Sequence, residues 1–166
     1  MKQSTLKMLL AMLCGLLFVG CVATKQSPEQ QAVQAAKDAV MKADQAAIEE
    51  VIAQYARTIR ENAPDAMFAM CTDDAMLFMP SKGKEISLKE AKAGGLLNDD
   101  FTTLSAPGCN YTIDNFSNWR FKEDEALVNM QKASNCPGSG GKSKPSTMGF
   151  RKVGEQWKIT YSGKIK

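Results

Sequence analysis

The chain has 166 residues, of which 44% are hydrophobic and 23% are charged, with 21 Lys and Arg against 18 Asp and Glu and no histidine. This composition is typical of one globular domain with a short additional segment. The absence of histidine excludes Ser-His-Asp triads, Cys-His pairs and histidine-dependent zinc sites, so acid-base chemistry must use carboxylates, lysine or tyrosine. We expect no metal and no other cofactor. The lack of a basic block or stripe also argues against nucleic-acid binding.

The first twenty residues have the layout of an export signal. Lys2 and Lys7 supply positive charge, and residues 8–19 form an apolar run that is too short to span a bilayer. Residues 18–21 read Phe-Val-Gly-Cys, which resembles the bacterial lipobox, in which the cysteine is lipidated and becomes the mature N-terminus. The alternative is an ordinary secretory signal followed by a chance cysteine.

The lipobox resemblance implies that acyl chains such as palmitate are attached to Cys21 and hold the protein on a membrane of the bacterial cell envelope. In a Gram-negative cell, Val22 after the lipidated cysteine, in place of Asp, resembles the pattern of lipoproteins that are sorted to the outer membrane. The protein would there face the periplasm. We therefore divide the chain into a signal peptide (1–20), a lipid-anchored tether with a spacer helix (21–43) and a globular domain (44–166).

Three helices are predicted at the start of the domain or just before it. Ser27 and Gln30 form a capping box that begins the spacer helix, residues 29–43, which is either solvent-exposed or a partner-binding segment. Residues 44–60 form the first domain helix, because apolar residues recur there at helical spacing, namely Ile48, Ile52, Tyr55 and Ile59. A second helix begins at Pro64 and runs through Cys71, whose thiol we expect to be buried.

The remaining pattern alternates between short strands and turns. Residues 75–79 form a buried strand, and a capping box at residues 87–90 begins a third helix that ends at residues 94–95. Period-two strands follow at residues 111–119 and 126–133, joined by a turn at residues 122–125. After a loop at residues 135–145, a last hairpin comprises residues 147–153 and 157–161, with Trp157, Ile159 and Tyr161 on one face. This order predicts an α+β fold with helices packed on one face of a curved antiparallel sheet.

The turn at Glu123-Asp124 also predicts a disulfide. It places Cys109 opposite a position within two residues of Cys136, and cross-strand neighbours can meet the separation that a disulfide requires. Export to an oxidising compartment permits this bond.

Residues 136–143 match the phosphate-binding motif G-x-x-x-x-G-K-S at every fixed position except the first glycine. That loop delivers phosphate to a helix N-terminus, whereas this segment leads into a predicted strand. We therefore interpret residues 136–143 as a flexible hairpin loop that binds no nucleotide.

Four segments carry a resemblance to a known fold: the helix at residues 47–55, residues 64–66 at the start of the second helix, residues 72–75 leading into a strand, and the closing hairpin at residues 150–159. Over residues 44–164 they resemble the nuclear transport factor 2-like superfamily, whose cone-shaped fold is shared with SnoaL-like cyclases and ketosteroid isomerases. The resemblance implies a cone formed by a curved antiparallel sheet with three N-terminal helices packed on it.

Enzymes of that superfamily use an Asp or His base inside the cone, with Tyr or protonated Asp as hydrogen-bond donor. No histidine is available here, so the candidate base is Asp114, with Tyr55 or Tyr111 as donor, provided that Asp114 faces the cone. If Asp114 faces solvent, it is an ordinary polar strand residue.

A set of flexible and aromatic side chains is expected where the helices and first strand meet. These side chains either fill the core or form the wall of a pocket for an adaptable apolar ligand. The pocket candidates are Tyr55, Met67, Met70, Phe78 and Phe101.

The sequence thus favours an envelope lipoprotein whose cone-shaped domain binds a small apolar ligand or a partner. One alternative is an isomerase, cyclase or hydrolase that uses a buried carboxylate. Another is a structural domain that forms a homodimer through its sheet, as is common in the superfamily.

Overall fold

The structure is a computed structural model, and it describes residues 27–79, 83–95, 97–138 and 140–164. The predicted export signal and the predicted lipid attachment site, Cys21, lie outside the described residues. Within the described residues, the chain divides into two units between Asp38 and Ala39.

Helix α1 spans Pro28–Arg60 without interruption, so the spacer and the first domain helix are one helix. The capping box is present, because Gln30 N donates to Ser27 Oγ at 3.2 Å and Ser27 N donates to Gln30 Oε1 at 3.0 Å. The part of α1 in the first unit is almost entirely solvent-exposed. In the second unit, α1 buries Ile48, Ile52 and Ile59, as the helical spacing predicts. Within the described ranges, no helix has the length and apolar character needed to cross a membrane.

Three short helices follow: α2 at Pro64–Ala69, α3 at Leu88–Gly94 and α4 at Asn98–Leu104. The predicted box at the start of α3 is confirmed, since Glu90 N donates to Ser87 Oγ at 3.2 Å and Ser87 N donates to Glu90 Oε2 at 2.9 Å. Helix α4 was not predicted. Helix α2 ends two residues before Cys71, so the prediction that Cys71 is helical is wrong. Cys71 is nevertheless a buried free thiol, and burial raises its pKa to about 12.

Six strands form one sheet in the order β2-β1-β6-β5-β4-β3. Their bounds are β1 Cys71–Met79, β2 Lys84–Ser87, β3 Asn110–Lys122, β4 Glu125–Cys136, β5 Gly140–Val153 and β6 Gln156–Lys164. The sheet is mixed, not antiparallel as predicted, because β1 runs parallel to β6. Strand β2 was not predicted, and most of the predicted loop at residues 135–145 belongs to β4 and β5. The described helices number four, so the prediction of three helices on the sheet is also corrected.

One face of the sheet, here called the inner face, forms the core with α1. It carries alternate residues of the central strands, because side chains of a strand point to opposite faces in turn. The fully buried members are Val128, Met130, Met148, Phe150 and Ile159. They belong to the same core cluster as Ile48 and Ile52 of α1.

Two β-bulges interrupt the pairing of β3 with β4. The partners are Asp114 with Gln131, Ser117 with Asn129 and Arg120 with Leu127, so β3 has one extra residue in each interval. Asn115 and Asn118 lie at these bulges with φ of +55° and +50°, a left-handed conformation that asparagine tolerates better than most residues.

The bulges change which residues of β3 share a face. Apolar side chains three residues apart now pack against the core: Ile113, Phe116 and Trp119, followed by Phe121. The Phe116 and Trp119 ring centroids are 6.2 Å apart, and the Trp119 and Phe121 centroids are 5.8 Å apart. A strict period-two interpretation assigns some of these residues to the wrong face.

A further shift in register corrects the closing hairpin. Phe150 pairs with Ile159, but the adjacent Gly149 pairs with Tyr161, so Tyr161 lies on the opposite face from Ile159. The prediction that Trp157, Ile159 and Tyr161 share one face is therefore wrong for Tyr161. Its hydroxyl donates to Glu85 Oε1 at 2.6 Å, which links β6 to β2.

Asp44 connects α1 to the closing hairpin. Its Oδ1 accepts hydrogen bonds from Lys152 Nζ at 2.9 Å and from Trp157 Nε1 at 3.0 Å. Burial alone would raise the pKa of Asp44, but these two hydrogen bonds outweigh it and hold the pKa below its usual value. The cluster orients the helix that forms one wall of the cavity described next.

Candidate functional site

A cavity of about 400 Å³ lies between the helices and the inner face of the sheet. Its wall contains residues from α1, α2, α4 and every strand except β2. This volume is near the lower end of the range for small-molecule sites, about 300–1,000 Å³.

Most of the cavity wall is apolar. Of the five pocket residues predicted from the sequence, four line the cavity: Tyr55, Met67, Phe78 and Phe101. Met70 does not; it is half-buried and packs against the core. Leu77, Leu97 and Leu104 add to the apolar surface.

Lys132 is a polar cavity residue that the sequence did not predict. It lies on β4 and lines the cavity, where its Nζ donates to Ser162 Oγ at 2.7 Å and lies 5.3 Å from the centroid of the Tyr55 ring. Burial lowers the pKa of Lys132 to about 8, because the ammonium form loses hydration. A signal for it was present in the sequence, since Lys132 continues the alternation of Val128 and Met130, both buried on the inner face.

Two buried tyrosines lie beside this lysine. Burial raises the pKa of Tyr55 to about 12, although a hydrogen bond with Ser162 acts in the opposite direction. Burial also raises the pKa of Tyr111 well above its usual value, and the backbone oxygen of Tyr111 accepts a hydrogen bond from Arg60 at 3.0 Å. Both phenols therefore stay protonated at neutral pH and can donate hydrogen bonds to a ligand.

Asp114 lies away from the cavity. It is solvent-exposed and accepts a hydrogen bond from Asn115 Nδ2 at 2.9 Å. Asp114 pairs with Gln131, whereas the cavity residue Lys132 pairs with Ile113, and successive residues point to opposite faces. Among the described residues, the acid in the cavity wall is instead Asp100 of α4.

The predicted disulfide between Cys109 and Cys136 is present. It extends the pairing of β3 and β4 one step beyond Asn110 and Asn135. The pair next to Asn110 and Asn135 is Tyr111 with Ser134, and both of these residues line the cavity. The disulfide therefore cross-links β3 and β4 at the end where they form the cavity wall. Among the described residues, no cluster of His, Cys, Asp or Glu is suited to holding a metal ion.

Residues 48–163 match the sequence model of a family described as a SnoaL-like domain. No curated protein matches the chain.

Solved structures share the fold at low sequence identity. An NTF2-like protein with a cystatin-like fold from Novosphingobium aromaticivorans is 17% identical, covers 78% of this chain and 84% of its own, and superposes with a TM-score of 0.62. An NTF2-like protein of unknown function from Pseudomonas putida KT2440 is 17% identical, with coverage of 73% and 84% and a TM-score of 0.61. A putative scytalone dehydratase from Novosphingobium aromaticivorans is 17% identical, with coverage of 72% and 81% and a TM-score of 0.53. These similarities confirm the fold that the sequence resemblance implied.

Proposed function

The chain belongs to the SnoaL-like domain family, and we propose that it is a lipid-anchored protein of the bacterial cell envelope whose cone-shaped domain binds a small, largely apolar ligand. The observation that carries the binding part is the cavity of about 400 Å³, which has an apolar wall and a few converging polar groups. At about 30 Å³ for each water-sized atom, this volume holds roughly a dozen non-hydrogen atoms.

The binding proposal is tested with 1-decanol, a neutral apolar probe of about that size, by isothermal titration calorimetry. The wild-type domain is expected to bind it with a negative heat-capacity change, because apolar surface leaves water. Ser134→Phe, which adds an aromatic ring to the cavity wall, is expected to abolish the signal while the domain stays folded by circular dichroism. Equal heats from both proteins would place any binding outside the cavity and contradict the proposal.

The anchoring part of the proposal rests on the lipobox resemblance at residues 18–21. Cys21→Ser is expected to move the protein from the membrane fraction to the soluble fraction, because the residue that carries the acyl chains is lost. Cys14→Ser is the matched control, since Cys14 lies inside the apolar run and should leave anchoring unchanged. Membrane association of Cys21→Ser at the wild-type level would refute lipid attachment at this residue.

A second candidate function is a small-molecule isomerase, cyclase or hydrolase that uses a carboxylate of the cavity. The observation in its favour is Asp100, which lines the cavity and whose negative charge contributes to the raised pKa of Tyr55. A carboxylate close to a protonated phenol can supply a base and a donor. The two functions differ in the fate of the ligand, because a binding protein releases it unchanged and an enzyme does not.

A further inference from the structure

The cavity wall carries an excess of positive charge. Among the described residues of the wall, the ionisable side chains other than tyrosine are one acid, Asp100, and four lysines: Lys132, Lys142, Lys144 and Lys164. Lys142, Lys144 and Lys164 are exposed, so they line the cavity where it meets solvent, and Lys132 extends this charge into the interior.

The register of three strands brings these lysines together. Lys132 of β4 lies directly opposite Lys144 of β5, Ser134 lies opposite Lys142, and Ser146 lies opposite Lys164 of β6. Like charges directly opposite each other in an antiparallel pair are destabilising. The arrangement therefore costs stability in the ligand-free domain, and an anion placed between the lysines would remove that cost.

Lys132 has no counterion within the described ranges. Its Nζ contacts the neutral Ser162 hydroxyl and the Tyr55 ring, and no described carboxylate forms an ion pair with it. A buried ammonium without an opposite charge is costly, as the lowered pKa of Lys132 reflects. An anionic group beside Nζ would form a charge-assisted hydrogen bond there, while Tyr55 and Tyr111 supply phenolic donors nearby.

We propose that the cavity binds a single-chain amphipathic carboxylate, with its carboxylate hydrogen-bonded to Lys132 and its apolar chain packed along the wall formed by Met67, Leu77 and Phe101. This inference rests on the proposed ligand-binding function and specifies the chemistry of the ligand. Phosphate is the other anionic headgroup that lysines bind, and membrane lipids carry it. A cavity of about 400 Å³ cannot enclose a two-chain phospholipid, which excludes that source of phosphate, and a single-chain phosphate is tested below as the alternative to the carboxylate.

The test compares four probes that share a ten-carbon chain: decanoate, 1-decanol, decylamine and decyl phosphate. At pH 7, the wild-type domain is expected to bind decanoate about 10-fold or more tightly than 1-decanol, since one charge-assisted hydrogen bond has that effect. Decylamine is expected to bind more weakly than 1-decanol, because its ammonium group meets the lysines. Lys132→Met should lose most of the preference for decanoate, because the lysines that remain in the wall are exposed.

Lys122→Met is the matched control, because Lys122 is exposed on β3 and does not line the cavity. It should keep the full preference for decanoate. Equal binding of decanoate and 1-decanol by the wild type would overturn the carboxylate inference and leave the proposed function intact. Failure of all four probes to bind would overturn both. Tighter binding of decyl phosphate than of decanoate would assign the headgroup site to phosphate and overturn the carboxylate inference.

Discussion

Replacing Lys132 by methionine is expected to stabilise the ligand-free domain at pH 7. In the folded protein the pKa of Lys132 is about 8, against about 10.5 for a solvated lysine, so folding the protonated chain carries a cost. The difference corresponds to about 3 kcal/mol, since one pKa unit is worth about 1.4 kcal/mol. Methionine preserves much of the side-chain length without the charge, and Ser162 keeps Tyr55 as a hydrogen-bond partner.

The pH dependence identifies the cause of this stabilisation. Between about pH 8 and pH 10.5 the unfolded wild-type chain binds more protons than the folded chain, so wild-type stability rises with pH relative to the variant. The gap is therefore largest below pH 8, about 3 kcal/mol at pH 7, and falls below about 1 kcal/mol at pH 10. The other ionisable groups that line the cavity are Tyr55, Tyr111, Asp100, Lys142, Lys144 and Lys164.

Urea denaturation of wild type, Lys132→Met and Lys122→Met across this pH range measures the effect. Lys122→Met should stay within about 0.5 kcal/mol of wild type at every pH, because its side chain is exposed. A Lys132→Met domain that is less stable than wild type at pH 7, or a gap that does not change with pH, would refute the assignment of an uncompensated buried charge.

Loss of the disulfide is expected to destabilise the domain strongly, but only under oxidising conditions. The bond joins cysteines 27 positions apart, and a cross-link that closes a loop of this length stabilises by about 3 kcal/mol through the entropy of the unfolded chain. Cys136→Ala, Cys109→Ala and the double variant should therefore lose the same amount of free energy relative to oxidised wild type. In reductant the wild type should fall to the level of the variants.

Cys71→Ala is the matched control for this experiment. Cys71 is a buried free thiol, so its removal costs packing energy to the same extent with and without reductant. If the Cys136→Ala variant also showed a loss that was independent of reductant, the stability lost would come from packing and not from the disulfide.

Local sequence was sufficient wherever neighbouring residues satisfy one another. The capping boxes at Ser27 and Ser87 are confirmed because each cap is completed by a side chain three residues along the chain. The same is true of the turn at Glu123-Asp124, which pairs Lys122 with Glu125.

The turn at Glu123-Asp124 alone did not give the exact cross-strand partner of Cys109. Two-residue uncertainty remained in the predicted partner of Cys109, and the two bulges at Asn115 and Asn118 account for that offset. Asparagine in a strand is a signal for such a bulge, because it tolerates positive φ. The signal was present in the sequence, but it shows its effect only when the partner strand is known.

The residues of the candidate site could likewise be predicted only in part from the sequence. The sequence identified four of the residues that line the cavity, because long apolar and aromatic side chains near helices and an apolar strand tend to face inward. It gave no weight to Lys132, whose charge predicts exposure in isolation. Only the positions of Ser162 and Tyr55, which lie on β6 and α1, decide that its ammonium group is held against the cavity wall.

The amino-acid sequence by itself determined where three of the four described helices begin, where β3 turns back into β4, and which family the chain resembles. It did so because capping, turn formation and hydrophobic periodicity act over a few residues. Tertiary structure alone decided that β1 pairs parallel with β6, that Tyr161 leaves the face of Ile159, and that Asp114 is exposed while Lys132 lines the cavity. These outcomes depend on strand register between segments far apart in the chain, and a shift of one residue moves every following side chain to the other face.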